Sequence, residues 1–260
     1  MKDYLTIIIT IVCLCVSICF GDTWTTSTQG QITAQTTTTK VGIGTTSPQG
    51  LLQVSQSYVT ALAPTGTAST DSTNIQNAIN AVTSGGLTGT VNLLSGTYVI
   101  HHTITLPNGL QLIGAGMGNT TISFSNATAS IILDATSKSS VSIKNLSLAS
   151  QQTRIHTGIN IKQSVYTNVE NVSISNMNTG IYISHSFNNF RNISVSSCNT
   201  GILLGNASDP TNEWSTANTF SGGEITACLM YGIRCAEAWG NFFSGMCIEA
   251  INSAVKYAQN

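Results

Sequence analysis

The residues best suited to chemistry in this chain are a few carboxylates and tryptophans towards its C-terminal end. Asp209, Glu213 and Trp214 fall within one short stretch, and Trp239 follows 25 residues after that tryptophan. A tryptophan ring buries a large apolar area when it stacks on a sugar ring, and a carboxylate accepts hydrogen bonds from sugar hydroxyls. If the domain has a ligand site, the sequence therefore predicts that these four side chains form part of it and bind a carbohydrate.

Catalysis would require paired carboxylates, and the candidates are Glu213, Glu224 and Glu249. Glycosidases place two carboxyl groups about 5–9.5 Å apart, which is roughly one to two spacings between neighbouring strands. Hydrolysis is one hypothesis for the stretch around Trp214, sugar binding without turnover is a second, and a purely structural loop is a third. The sequence shows no cluster of metal ligands, so neither a metal ion nor another cofactor is expected.

A repeat specifies the elements that must position these side chains. Glycine followed by an apolar residue recurs at Gly158, Gly180, Gly201 and Gly232, in steps of 22, 21 and 31 residues. A period in the twenties is typical of solenoids, in which each repeat buries its apolar face only against its neighbours. The long third step predicts a loop at Asn206 to Ala217 that protrudes from one coil, where repeat proteins often carry binding sites.

A second phrase, in which asparagine and serine alternate with apolar residues, recurs at 143–148, 169–174 and 190–195. If both phrases are strands, alternate residues face the core. The predicted inward stack is Ile159, Ile181, Ile202 and Ile233, and the predicted outward column beside it is Asn160, Tyr182, Leu203, Arg234 and Lys256.

Two polar columns follow from the second phrase. Lys144, Glu170 and Arg191 form an outward column that alternates in sign, either an ionic binding strip or, as we favour, opposite charges paired across adjacent strands. The asparagines at 145, 171 and 192 predict a ladder of stacked amides, with an inward role.

Cys198 and Cys228 occupy equivalent positions of the repeat, in a column with Met177. They are either small apolar side chains of the core or a disulfide between adjacent turns. Strands about 4.8 Å apart permit such a bond, because Cα separations in disulfides start near about 4.4 Å.

One helix is predicted ahead of the repeats. Asp71, Ser72 and Thr73 supply N-cap side chains, and Gly85–Gly86 is expected to end the helix. Its apolar residues recur at helical spacing, at Ile75, Ala78, Ile79 and Val82. Their stripe is expected to cover the open end of the solenoid, whose first strands are predicted at 90–94, 103–106 and 110–113.

Four segments between about Ala61 and Gly118, at 71–79, 89–93, 95–98 and 110–116, read DSTNIQNAI, GTVNL, SGTY and LQLIGAG. With these segments, the region resembles the opening of the pectate lyase superfamily, which includes polygalacturonases, rhamnogalacturonan enzymes and many phage tailspikes. The resemblance implies an all-β fold, namely a right-handed single-stranded parallel β-helix of about 22-residue coils with a short N-terminal capping helix.

The resemblance implies less about function, because these folds host lyases, hydrolases, epimerases and inert adhesins. Pectate-type lyases need acidic calcium ligands and an arginine base, and polygalacturonases need several aspartates with a histidine and an Arg-x-Lys. Neither set is recognisable, since Arg154-Ile155-His156 has no matching aspartate pair. The leading hypothesis is a polysaccharide-binding or structural module of the tailspike or adhesin kind; the alternative is a polysaccharide lyase or glycoside hydrolase.

Composition and the two termini complete the predictions. Only 7% of residues are charged and the net charge is −1, which gives no electrostatic footprint for nucleic acid. Residues 1–21 are predicted to be a signal peptide, with an uncleaved membrane anchor as the alternative, so the protein is expected to be secreted or held at the cell surface. Residues 22–60, rich in Thr, Ser and Gln, are predicted to be a linker or stalk.

Residues 61–260 are predicted to form the β-helix domain. The chain stops inside a repeat without a recognisable cap, as a truncated solenoid would. An open end of this kind could meet another chain, so a homo-oligomer, such as a trimer, is predicted. A polysaccharide or a cell-surface glycan is the other expected partner.

Overall fold

In the computed structural model, the structure describes residues 58–83, 88–128 and 130–249, together with five short strands outside these ranges. The chain divides into two compact units, residues 1–55 and 56–260. The predicted signal peptide, most of the predicted linker and the predicted end of the helix at Gly85–Gly86 lie outside the described residues. Within the described residues, no helix has the length and apolar character needed to cross a membrane.

Two pairs of short strands belong to the first unit, within the predicted linker. β1 (Trp24–Thr26) pairs antiparallel with β2 (Ile32–Ala34). β3 (Val41–Ile43) pairs in parallel with β4 (Leu52–Val54).

Among its described residues, the second unit contains one helix, α1 (Ala68–Thr83), and a long series of short strands. The strands are β5 (Tyr58–Thr60), β6 (Thr90–Asn92), β7 (Gly96–Ile100), β8 (Ile104–Thr105), β9 (Gln111–Ile113), β10 (Thr120–Phe124), β11 (Ile131–Asp134), β12 (Ser142–Ser150), β13 (Thr157–Ile161), β14 (Asn168–Ser175), β15 (Thr179–Ile183), β16 (His185–Ser186), β17 (Asn189–Ser196), β18 (Thr200–Leu204), β19 (Ser215–Thr216), β20 (Thr219–Thr226), β21 (Tyr231–Cys235), β22 (Ala238–Trp239), β23 (Phe242–Ser244), β24 (Cys247–Glu249) and β25 (Val255–Tyr257).

These strands form three sheets in which every pairing is parallel and joins a strand to its counterpart one coil away. Sheet I contains β5, β6, β7, β9, β10, β12, β14, β17, β20, β23 and β24; sheet II contains β8, β11, β13, β15, β18, β21 and β25; sheet III contains β16, β19 and β22. Because the chain visits the sheets in turn, each coil closes one layer of a solenoid. The fold is a parallel β-helix with one short helix, which confirms the predicted fold class.

The predicted inward stack of isoleucines is confirmed. Ile159, Ile181, Ile202 and Ile233 are in register in sheet II and at most 4% exposed. Sheet I has an equivalent stack of aromatic rings, in which the Phe190 and Phe220 centroids lie 4.5 Å apart. Such stacks exist because parallel strands place identical positions of successive coils directly above one another.

The recurring glycine of sheet II has a steric cause. A Cβ atom added to Gly158 would lie 2.6 Å from the carbonyl oxygen of Gly180, and one added to Gly180 would lie 2.5 Å from that of Gly201. Real Cβ atoms do not approach backbone oxygen so closely. The repeat therefore carries glycine where neighbouring coils come into closest contact.

The asparagine ladder forms, but its predicted inward role is wrong. Asn171 donates to Asn145 at 3.0 Å, and Asn192 donates to Asn171 at 2.9 Å. All three have φ near +50° and lie at a bend within the strands of sheet I, where the first two are half-buried and Asn192 is exposed. The left-handed backbone turns the chain at this point, so the amides stack on the outside of the bend. Gly222 and Gly245, also left-handed, continue the position in later coils.

The alternating charges pair across strands, as favoured. The Lys144 ammonium lies 3.1 Å from the Glu170 carboxylate, and Arg191 is the next residue in register. The hydrogen bond from Lys144 is the main cause that lowers the pKa of Glu170. One ion pair thus joins neighbouring strands on the surface of sheet I, and the second positive side chain, Arg191, is exposed beside it.

The helix begins earlier than predicted, at Ala68, so Asp71 is not its N-cap. Asp71 is buried, and its carboxylate accepts hydrogen bonds from the backbone amides of Thr65, Gly66 and Val99. The first two bonds close the turn before the helix, and the third joins the helix to β7. The Asp71 carboxylate therefore stabilises the turn that precedes α1 and also holds α1 against the first coils.

Cys198 and Cys228 are buried free thiols in the column of Met177, which favours the core interpretation over the disulfide. Burial raises the pKa of Cys198 to about 12 and also raises that of Cys228. Both thiols are thereby held in the neutral, unreactive form.

Candidate functional site

The long loop predicted at 206–217 folds back against the outer face of sheet II. Gly205 leaves β18 with φ of +71°, and the backbone amide of Asn206 donates to the carbonyl of Glu213 at 2.8 Å. The loop then enters β19, which pairs with β16 of the preceding coil. This arrangement brings Glu213 to sheet II and Trp214 to the corner of the coil.

Glu213 is held by three side chains and is only 5% exposed. It forms an ion pair with Lys162, accepts the hydroxyl of Tyr182, and accepts the amide of Asn206 at 3.0 Å. Burial alone would raise the pKa of Glu213, but these hydrogen bonds and the Lys162 charge outweigh it and lower the pKa. The carboxylate is charged, covered and occupied with anchoring the loop, which favours a structural role for it.

Tyr182 and Asp209 complete the anchoring of the loop. Burial, followed by the hydrogen bond to Glu213, raises the pKa of Tyr182, so its hydroxyl stays protonated as the donor. Asp209 accepts hydrogen bonds from Asn212 at 2.9 Å and from Thr211 at 3.2 Å within its own turn. The Tyr182 hydroxyl is neutral and already bonded to Glu213, whereas the Asp209 carboxylate is bonded by neutral groups of its own turn, so ligand contact by Asp209 stays a prediction.

The two tryptophans do come together one coil apart. The ring centroids of Trp214 and Trp239 are 5.9 Å apart with 25° between the planes, and His185 stacks on the other side of Trp214 at 4.8 Å. Nearly parallel rings at this separation are offset-stacked, so each covers part of its neighbour. Trp214 is half-buried between the other two rings, whereas Trp239 is 56% exposed.

A second aromatic pair lies at the same corner and was missed by sequence reasoning. The rings of Tyr166 and Phe187 stack at 5.7 Å with 16° between planes, and both are more than half exposed. Each residue stands two positions before a strand of sheet I, in turns between the two phrases of the repeat. The available signal was an aromatic residue in a turn, repeated after 21 residues.

The structure brings Glu224 and Glu249 together and separates both from Glu213. Glu224 lies opposite Cys247 and Thr226 lies opposite Glu249 in neighbouring strands of sheet I, so the two glutamates are diagonal neighbours on its outer face. One strand spacing and two residues along the strand place their Cα atoms about 8 Å apart. Both glutamates are exposed, and the Cys247 thiol donates to Glu249 at 2.9 Å.

A groove of about 450 Å³ runs along sheet I, and Glu224 lines it whereas Glu249 does not. One residue from each of five successive coils lines it in register, namely Ser147, Ser173, Ser194, Glu224 and Cys247. Ser194 donates to Glu224 at 2.9 Å. The groove is open, exposes polar and apolar atoms in similar proportion, and lies on a different sheet from the anchored loop.

The part of the chain that the structure describes contains no candidate metal site. Within residues 58–83, 88–128 and 130–249, no three His, Cys, Asp or Glu side chains come together as a metal site. His156 is fully buried beside Phe124, and burial lowers its pKa, so it is a neutral core residue.

Comparisons with known proteins agree with the coil geometry. Residues 59–139 match the family model described as rhamnogalacturonase A/epimerase, pectate lyase-like. No curated protein sequence matches the chain.

Two solved structures show the same fold at low identity. The A-module of Azotobacter vinelandii mannuronan C-5 epimerase AlgE6 is 20% identical with a TM-score of 0.50, over 72% of this chain and 56% of that one. The Dettilon tailspike protein (gp208) is 12% identical with a TM-score of 0.55, over 78% of this chain and 47% of that one. The chain thus spans about half the length of these proteins. Together, the family match over residues 59–139 and the stacked parallel coils show that this chain is similar to the pectate lyase-like family in that region and folds as a parallel β-helix.

Proposed function

We propose that this β-helix is an exported carbohydrate-binding module of the tailspike or adhesin kind. The observation that carries the proposal is the stack of His185, Trp214 and Trp239 at one corner of the helix, whose outermost ring, Trp239, is exposed. A large aromatic ring left open to solvent on a rigid scaffold is suited to stack on a sugar ring at little entropic cost. The similarity to a mannuronan epimerase and to a tailspike protein supports a polysaccharide as the ligand.

The geometry ranks the predicted binding residues. Trp239 offers an open ring face, so we propose it as the main contact. Trp214 lies between His185 and Trp239 and supports the exposed ring from below. Asp209 and Glu213, which the fold already uses, contribute by holding the loop in place.

Fluorescence titration tests this proposal, with mannuronan, polygalacturonate and a neutral glucan as probes. The measurement uses a Trp24→Phe background, so that the signal comes from Trp214 and Trp239. We expect one probe to bind and Trp239→Ala to weaken that binding about tenfold, the loss of roughly one stacking interaction. Tyr58→Ala, which removes an exposed ring elsewhere, is the matched control. An affinity unchanged by Trp239→Ala for every probe that binds would contradict the assignment.

A second candidate function is glycoside hydrolysis at Glu224 and Glu249, favoured by the place of Glu224 in the groove on sheet I and of Glu249 as its diagonal neighbour. In an inverting mechanism, one carboxylic acid would protonate the glycosidic oxygen while the other carboxylate deprotonates the attacking water. Release of reducing ends from the same probes tests it. Glu224→Gln and Glu249→Gln should each abolish release, while Glu237→Gln should not; no release by the wild-type protein would exclude these substrates.

Self-association and export remain parts of the proposal. Met230 and Phe242, in the last coils of the described helix, are at least half exposed and would suit burial against a second copy. Light scattering of the purified protein measures the oligomeric state, and we expect a trimer.

N-terminal sequencing of the secreted protein would show whether cleavage follows Gly21.

A further inference from the structure

We propose that Tyr166 and Phe187 form a second row of the binding site, so that one linear glycan chain runs along the β-helix axis across four coils. This inference rests on the proposed function and names the ligand's form and direction. It begins from the corner between sheets II and I, made by residues 162–167, 184–188, 205–218 and 236–241.

Each of these four turns carries an aromatic ring. Tyr166 belongs to the first turn, Phe187 and His185 to the second, Trp214 to the third and Trp239 to the fourth. Phe187 stacks on Tyr166 while His185 stacks on Trp214, so the second turn joins the two rows. Three coil spacings of about 4.8 Å give a strip about 14 Å long. A strip of this length fits several sugar units in a line and is too long for a monosaccharide.

Backbone strain indicates that the second row is not kept for folding. Tyr166 and Phe187 have φ of +58° and +62°, a left-handed conformation that is unfavourable for bulky side chains. In the next two coils the same position, two residues before sheet I, holds Ala217 and Gly240, which are also left-handed. Small residues therefore suffice for this turn. Bulky rings that are 62% and 57% exposed recover little of the strain by packing, and strained residues of this kind cluster at functional sites.

The surroundings favour a sugar over an apolar partner. The next outward residues in the chain are Asn168 and Asn189, whose amides are linked at 3.3 Å. Beyond them in the same strands lie Glu170, paired with Lys144, and the exposed Arg191. Rings bordered by amides and charged side chains match a polyhydroxylated ligand, which needs ring faces and hydrogen-bonding groups together.

The test uses variants that relax the backbone while removing the rings. Asparagine tolerates the left-handed region, so Tyr166→Asn with Phe187→Asn should leave the unfolding midpoint unchanged or raise it by about 2 °C. Oligomannuronates and neutral gluco-oligosaccharides of two to six units are titrated against this double variant, Trp239→Ala and wild type. For wild type, we expect affinity to rise with chain length up to four or more units.

The double variant should weaken the longest oligomers about tenfold and leave the shortest unchanged. The following results would overturn the inference. A lowered unfolding midpoint in the double variant would make the pair structural. Wild-type affinity that does not depend on length, or a dimer or trimer that dissociates in the double variant, would assign the row to another role. If Trp239→Ala weakens binding and the double variant does not, the proposed function stands and this inference fails; if no oligomer or polysaccharide binds, the proposed function fails with it.

Discussion

The Tyr182 hydroxyl donates a hydrogen bond to the carboxylate of Glu213, a residue 31 positions further along the chain. Tyr182 lies in β15 and Glu213 in the loop of the following coil, so this bond ties the insertion to the scaffold beneath it. Lys162, from the end of the preceding coil, forms the ion pair that completes the anchor. Three successive coils thereby position the turn that carries Trp214.

Removing this anchor should loosen the loop without unfolding the coils. We expect Glu213→Ala to cost about 1–3 kcal/mol, the range for a buried hydrogen-bonded group that loses its partner. The half-exposed position of Lys162 keeps the ion-pair contribution small. Chemical unfolding measures the loss, and the Trp214 emission should shift to the red. Asp209→Asn, which keeps the turn's acceptor oxygen, is the matched control; an equal effect from both variants would show that Glu213 has no special role.

The same anchor predicts a dependence on pH. Folding lowers the pKa of Glu213, so its contribution is complete above the ordinary carboxyl pKa of about 4.3. It is lost as the pH falls through the lowered value, because the folded state must then take up a proton that disfavours it. The difference in unfolding midpoint between wild type and Glu213→Gln should therefore be constant near neutral pH and shrink below about pH 4. A difference that grows on acidification would contradict this assignment.

The recurring glycine of sheet II should tolerate no side chain. In Gly180→Ala the new Cβ would meet the carbonyl oxygen of Gly201 at 2.5 Å and Val195 at 2.7 Å. We expect a loss of about 2–3 kcal/mol, measured by chemical unfolding. Gly222→Asn is the control, because an added Cβ there meets nothing within 4 Å and φ of +66° suits asparagine. That change should be neutral or stabilising, and a large loss would mean that the bend is misassigned.

The asparagine ladder combines a backbone requirement with side-chain hydrogen bonds, and two variants separate them. Asn171→Gly keeps the left-handed backbone and removes the bonds to Asn145 and Asn192. Asn171→Ala removes the same bonds and also places an alanine at φ of +53°. We expect alanine to be less stable than glycine by about 1–2 kcal/mol. Equal unfolding free energies for the two variants would argue against a left-handed residue at this bend.

The cysteines should differ sharply in reactivity. Burial holds the pKa of Cys198 at about 12, whereas Cys247 is exposed, with a pKa raised chiefly by its hydrogen bond to Glu249. Iodoacetamide at pH 8 should therefore label Cys247 in the folded protein and spare Cys198 and Cys228, as peptide mass spectrometry would show. Glu249→Gln should speed the labelling of Cys247. A mass two hydrogens lower across the 198 and 228 peptides would reveal the disulfide instead.

The repeat made the fold predictable because parallel stacking imposes one residue type on each column. Ile181 and Gly180 could be placed by sequence alone, since an inward position must be apolar and a point of close approach must lack a side chain. The direction of Asn145 could not, because alternation along a strand fails at a left-handed bend. The start of α1 at Ala68 could not be predicted either, because an aspartate such as Asp71 is equally common as the N-cap of a helix.

For the candidate site, the sequence by itself determined that an insertion carrying Trp214 departs from the repeat and that Trp239 follows one coil later. Only the tertiary structure decided that their rings are offset-stacked and that the Glu213 carboxylate is bonded to Lys162 and Tyr182. It also decided that Glu224 and Glu249 lie on a different sheet from Glu213. The physical reason is that a repeat fixes which residues are stacked in register. The direction of the side chains in a turn depends on left-handed backbone at single residues and on contacts between coils. The repeat period predicts neither of these.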